Sequence, residues 1–208
     1  MMKSLQSKIF TLLGVICIIC AVGITAFNIY DAEMAEKNAG SVSSQLKTEI
    51  PTTSPSVSYT PENEPVLPAY VLNPDMEMPV KSINGRDYIG LLEIPAFGLS
   101  LPVLSELTYA GLRVSPARYK GSAYSDDLII GAHNYTSHFS NLRNLTQGDE
   151  IIFTDIDGNV FRYTVSSTET LLPTSIEEMV SGDWELTLFT CTFGGSYRIT
   201  VRCERVLN

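Results

Sequence analysis

The chain has 208 residues and a net charge of −9, with 23 acidic side chains against 14 basic ones. That length suits one compact domain with something added. The acidic balance, with no basic stripe anywhere, excludes a nucleic-acid partner, whose phosphates call for clustered Lys and Arg.

Taken in chain order, the first feature is an apolar stretch. Residues 9–27 are nineteen in a row without a charge, and at about 1.5 Å per residue such a helix nearly matches a hydrocarbon core of about 30 Å. Lys3 and Lys8 precede it, while Asp31, Glu33 and Glu36 follow. The positive-inside rule then predicts a cytoplasmic N-terminus over 1–8, a transmembrane signal-anchor over 9–27 and an extracytoplasmic remainder. A cleaved signal peptide is the competing reading. It is disfavoured by the length of the apolar run and by the lack of a small-x-small cleavage site. Cys17 and Cys20 lie inside this stretch as small hydrophobes, leaving Cys191 and Cys203 outside it.

Residues 28–80 are expected to form a flexible extracytoplasmic stalk. Ser, Thr, Pro and Glu dominate 51–65, a composition that buries too little apolar area to offset its ordering entropy. Its last part, 73–79, is expected to dock on the domain that follows.

Residues 81–208 read as a catalytic domain made mostly of β structure. Candidate strands are 88–94, 99–104, 128–133, 150–154, 160–165, 185–191 and 197–206, each short, rich in β-branched and aromatic residues, and bounded by turn chemistry. The sequence Asp155-Ile156-Asp157-Gly158-Asn159 predicts a hairpin turn. Short helices are expected over 138–145, where Phe139, Leu142 and Leu145 would share a face, and over 175–180, capped by Thr174 or Ser175. Many short strands with small helical insertions indicate a closed antiparallel barrel of about eight strands.

The chemistry concentrates in Thr-Leu-Phe-Thr-Cys-Thr, residues 187–192, followed by Phe-Gly-Gly-Ser-Tyr-Arg, residues 193–198. Strand alternation puts Thr187, Phe189 and Cys191 on one face. Gly194 and Gly195 turn the chain, so Arg198 returns beside Cys191. A cation next to a thiol favours the thiolate, the reactive form. A cysteine nucleophile also needs a proton partner, usually His, and the chain holds two histidines. His133 ends the apolar run 128–132 at a strand terminus and is preferred as acid and base. His138 is expected to pack or cap locally. No metal site is expected, since no third His or Cys stands near them at ligand spacing. No cofactor is called for.

These pieces together resemble the sortase family. The likeness covers roughly 88–206 and rests on Ile-Gly-Leu-Leu-Glu-Ile-Pro-Ala-Phe-Gly-Leu-Ser-Leu-Pro-Val at 89–103, Gly-Ala-His-Asn at 131–134, Leu-x-x-Leu-x-x-Gly-Asp-Glu-Ile at 142–151, and Thr-Leu-Phe-Thr-Cys followed by Arg-Ile-Thr-Val. The resemblance implies an eight-stranded barrel and a cysteine transpeptidase with His133, Cys191 and Arg198 as its active site. It implies cleavage of a C-terminal Leu-Pro-x-Thr-Gly-like sorting signal through a Cys thioester, on the surface of a Gram-positive-type cell. The acyl group then passes to an amine of the cell wall or to a pilin Lys. The segment 73–79 has a slight likeness to the lid of pilin-building members, but an ordered linker end is the preferred reading.

Plainer readings stand beside this one. Cys203 alternates with Ile199 and Val201 as a buried thiol, and a Cys191–Cys203 disulfide is disfavoured because the hairpin does not set the two opposite each other. The plainer reading of Arg198 and Arg202 is as solvated charges on an exposed face. A hydrolytic thiol protease on the same site, and a catalytically silent surface barrel that binds peptides, remain the alternative functions.

Overall fold

The computed structural model describes residues 2–51 and 67–206, with side chains from Lys8 onward. A single helix, α1 (Met2–Glu49), opens the chain. Its first half is long and apolar enough to cross a membrane, and Ile9, Phe10, Val22 and Phe27 along it are exposed. Beyond that half the helix continues where a flexible stalk is expected. Ala35, Ala39, Val42 and Leu46, with Ile50 just past the helix end, are buried. They recur every three or four residues, the spacing that lines up one helix face. Val42, Leu46 and Ile50 pack with Ile83, Tyr88, Leu91 and Leu104 of the barrel wall. Ion pairs Lys47–Glu93 at 3.1 Å and Lys81–Glu49 at 2.7 Å flank that seam. The stalk expectation is therefore corrected for 28–49: the Ser/Pro-rich composition begins only at Pro51, and the stretch before it is helical and carries an apolar stripe. The part of the stalk at 52–66 lies outside the described residues.

After a short helix α2 (Ala69–Leu72), residues 73–80 lie along the barrel. Tyr70 stacks on Tyr124 with ring centroids 4.7 Å apart, and Met78 is buried, its sulfur accepting from the Ala123 amide at 3.4 Å.

Nine strands follow among the described residues: β1 (Lys81–Ile83), β2 (Arg86–Ile94), β3 (Leu99–Leu104), β4 (Ala117–Lys120), β5 (Leu128–Ala132), β6 (Glu150–Asp155), β7 (Val160–Leu171), β8 (Leu186–Cys191) and β9 (Arg198–Arg205). The order β1-β2-β3-β4-β5-β8-β9-β7-β6 closes on itself through β2–β6, from Gly90↔Asp155 to Glu93↔Ile152. The result is the expected closed barrel of eight strands, with β1 added as a hairpin on β2. Closure is mixed rather than wholly antiparallel, because β3–β4 and β5–β8 run parallel. The β6–β7 hairpin intervenes in sequence between β5 and β8, giving the long crossover that a parallel pair requires.

Inward side chains fill the barrel: Ile89, Leu92, Ile130, Phe153, Phe161, Tyr163, Leu188 and Val201 are all fully buried. The hairpin expected at 155–159 forms, with Asp155 accepting from the Asn159 amide at 2.8 Å and from the Tyr124 hydroxyl at 2.6 Å. The helix expected over 138–145 does not form. That stretch is a chain of turns with one 3₁₀ turn at Leu142–Asn144, yet Phe139, Leu142 and Leu145 are all buried as their spacing implied. The second short helix does form, as α4 (Ile176–Val180), with Ser175 at its N-cap position. A further one, α3 (Tyr109–Leu112), is capped by the Thr108 side chain, which accepts from the Gly111 amide at 3.0 Å.

Candidate active site

Three neighbouring strands end at one rim. In the parallel pair β5–β8, Ala132 lies opposite Thr190, and the Thr190 hydroxyl donates to the Ala132 carbonyl at 2.9 Å. The next residue on each strand is the one singled out by sequence, His133 on the β5 side and Cys191 on the β8 side. In the antiparallel pair β8–β9, Cys191 is the register partner of Arg198. The connecting loop 192–197 is tied by the Thr192 amide to the Tyr197 carbonyl at 2.9 Å, and positive φ angles at Gly194 and Gly195 allow its tight path.

His133, Cys191 and Arg198 line a single cavity of about 500 Å³. One wall comes from Tyr109 and Leu112 of α3, another from Leu172, Ile176 and Met179 on and before α4. Its floor holds Phe189, whose ring meets Tyr119 edge-on at 5.6 Å. Phe189 fits there because its register partner is Gly131: a Cβ on Gly131 would come 2.5 Å from the Phe189 Cζ. The segment 73–79 lies outside this cavity. Residues 74–78 instead border an adjoining one of about 660 Å³ that shares Leu107 and Tyr119 with it.

His133 is half-buried between Tyr109, at 5.9 Å and nearly perpendicular, and Tyr135, at 5.0 Å. Burial lowers its pKa, the Asp31 carboxylate opposes that shift, and the Arg113 cation adds to it. Sequence reasoning missed both Asp31 and Arg113, and also Tyr135. Tyr135 stands two residues from His133 and was open to notice; Asp31 is a hundred positions away in α1, and no local pattern reports it.

Arg198 donates from Nη1 to the carbonyls of Gly195 at 3.1 Å and Tyr197 at 3.2 Å. No carboxylate among the described residues pairs with it. Arg202 behaves differently from the solvated charge expected of it. It is 3% exposed and donates to Glu169 at 2.7 Å, to the Met179 carbonyl at 2.9 Å, to the Thr187 hydroxyl at 3.0 Å and to the Glu178 carbonyl. Outward-facing on β9, it is covered by α4 and anchors the helix that walls the cavity.

His138 is fully buried, and neither ring nitrogen has a hydrogen-bond partner among the described residues. Burial, with the nearby His133 adding, pushes its pKa down to about 4. Cys203 is buried in the barrel core, its thiol pushed up to about 12. It pairs in register with Leu186, at the far end of β8 from Cys191, and both cysteines are free thiols. Among the described residues no cluster of three His, Cys, Asp or Glu could hold a metal ion.

A closed mixed barrel whose strand ends gather a thiol, an imidazole and a guanidinium in one cavity defines a class of protein, and the comparisons name it. Residues 92–206 match the family model described as the sortase domain, so the chain belongs to the sortase family. It is 29% identical over 137 residues to sortase A of Bacillus anthracis, covering 62% of this chain and 65% of that protein's length. Sortase C1 of Streptococcus agalactiae superposes with a TM-score of 0.53 at 26% identity, over 61% of this chain and 72% of the other. A sortase D5 transpeptidase from Clostridium perfringens shares the fold with a TM-score of 0.56 at 19% identity, over 84% and 99% of the two chains.

Proposed function

We propose that this chain is a membrane-anchored cysteine transpeptidase that processes C-terminal sorting signals. The observation that carries the reading is the shared cavity: Cys191 and Arg198 are direct strand partners, and His133 lines the same 500 Å³ space. In the proposed cycle the Cys191 thiolate, its proton taken up by His133, attacks the scissile carbonyl of a Leu-Pro-x-Thr-Gly-like peptide. His133 gives a proton to the departing amine as the peptide C–N bond breaks, leaving a thioester. An incoming amine, from a wall peptide or a pilin Lys, loses a proton to His133, attacks the thioester carbon and expels the Cys191 sulfur. Arg198 donates hydrogen bonds to the peptide or to the oxygen that gains charge.

The apolar walls of Leu172, Ile176 and Met179 suit the Leu-Pro part of such a peptide. Residues 9–27 would span the membrane, with 1–8 inside and the barrel outside. Incubating the full chain with a panel of sorting-signal peptides, then weighing it by mass spectrometry, tests the proposal. A covalent acyl adduct on Cys191 that an added amine discharges supports it. An adduct discharged only by water supports a thiol protease, and no adduct with any peptide supports a silent peptide-binding barrel.

A further inference from the structure

The helix that carries the apolar N-terminal stretch also reaches the rim of the site. Four residues past Phe27, Asp31 uses both carboxylate oxygens. One accepts from Arg113, through Nε at 3.1 Å and through Nη2; the other accepts from the Tyr135 hydroxyl. Arg113 is fixed further by lying 5.8 Å over the Phe27 ring. Tyr135 sits in the loop that follows β5, and its ring packs 5.0 Å from His133 and 5.4 Å from His138. The loop itself is held by local turns, such as the His138 amide to the Tyr135 carbonyl at 2.9 Å. The tyrosine hydroxyl on Asp31 ties it to the helix.

We propose that Asp31 is a positioning residue for His133, holding the imidazole and its loop through Tyr135, so that the N-terminal helix completes the site. The inference rests on the role given to His133 above. Every charged or titratable group facing that imidazole enters the argument: Asp31 from α1, Arg113 after α3, Tyr109 on α3, Tyr135 and His138 in its own loop, and Cys191 and Arg198 across the cavity. Of these, Asp31 favours the protonated ring and Arg113 disfavours it. A tether that only fixes the helix would make the two variants behave alike, since each breaks the same ion pair. A charge aimed at His133 makes them differ in sign.

The experiment uses the full chain in detergent micelles. The chain has two histidines, so both imidazole signals are followed by NMR through a pH titration and assigned with His133→Gln. Asp31→Asn is expected to lower the His133 midpoint and Arg113→Gln to raise it. Asp31→Asn and Tyr135→Phe should each cut kcat about tenfold through misplacement of the base, with KM little changed, and Asp31→Glu should recover part of the loss. Thermal melts confirm that the variants are folded. The proposal is overturned if both charge variants lower the melting temperature yet leave the His133 midpoint unmoved, or move it the same way. If the wild type turns over no peptide while the midpoints split as expected, the coupling of Asp31 to His133 stands and the transpeptidase reading fails instead.

Discussion

Cys191 lies directly opposite Arg198 at the last register position of the β8–β9 pair, before the chain turns. That position is fixed by the burial of alternate residues below it: Leu186, Leu188 and Thr190 face inward, while Phe189 and Cys191 remain half-exposed to the cavity. A slip of one residue would send the thiol into the barrel and Thr190 to the rim. The core therefore selects the register that sets thiol beside guanidinium.

The two thiols outside α1 should separate cleanly on substitution. Cys191→Ala is expected to abolish peptide cleavage and the acyl adduct together, because Cys203 is sealed in the core. Cys203→Ala should retain turnover and lose about 1 kcal/mol of stability, the common cost of trimming a small buried side chain. Denaturant unfolding and a peptide-cleavage assay on both variants read this out. Equal loss of activity in the two would overturn the assignment.

His138 predicts a pH dependence of stability. Its folded pKa lies near 4, below the ordinary value of about 6.5. Between those values the unfolded chain binds the extra proton and the folded one does not, so stability falls as pH drops through that window and recovers above it. Burial depresses His133 as well, which acts in the same direction. From pH 7 to pH 5 the loss attributable to His138 should be on the order of 1–2 kcal/mol. His138→Phe should flatten that slope in urea titrations at the two pH values. An unchanged slope would mean that the ring is already charged or solvated at pH 5.

Much of the barrel was legible because its strands announce themselves by alternation: seven of the nine among the described residues were expected, six of them within a few residues, while β7 runs six residues past the expected end at 165. The two missed strands were faint for physical reasons. Strand β4 is four residues long with Arg118 and Lys120 on it, and β1 is three residues long with two of them exposed. The second had a signal all the same: Asn84-Gly85, with φ of 51° and 72°, is a favoured hairpin turn between β1 and β2. The strand ends that meet in the cavity were legible as a set, since a tight hairpin and an apolar strand end are local patterns. The Asp31 contact and the burial of Arg202 were not, because both depend on where a distant helix packs.

Arg202 carries a prediction that its sequence position does not suggest. Its guanidinium satisfies two carbonyls of α4, a threonine hydroxyl and a carboxylate at once. A Lys ammonium keeps the charge but cannot span those acceptors. Arg202→Lys should therefore cost about 1–3 kcal/mol in lost hydrogen bonds to a charged group. Since α4 supplies Ile176 and Met179 to the cavity, KM for a sorting-signal peptide should rise more than kcat falls. Melting curves and steady-state kinetics decide it, and a variant with native stability and native KM would return Arg202 to the solvent-exposed role.

Arg198→Lys asks whether the guanidinium beside Cys191 works by charge or by direction. Arg198 spends Nη1 on the Gly195 and Tyr197 carbonyls, which orients the fork, and the residue lines the cavity with no carboxylate partner among the described residues. Lysine keeps the positive charge at roughly the same place but lacks the planar pair of donors. If charge alone is needed, turnover survives. If a peptide oxygen must be held by an aligned N–H as it gains charge, the loss should reach the scale of one oxyanion donor, about a hundredfold or more in kcat. We expect the larger loss, with stability nearly unchanged because both anchoring acceptors belong to the loop of the same hairpin. Single-turnover acylation, read by the mass of the Cys191 adduct, isolates the step. A near-native acylation rate in Arg198→Lys would leave the guanidinium with no directional part in the chemistry.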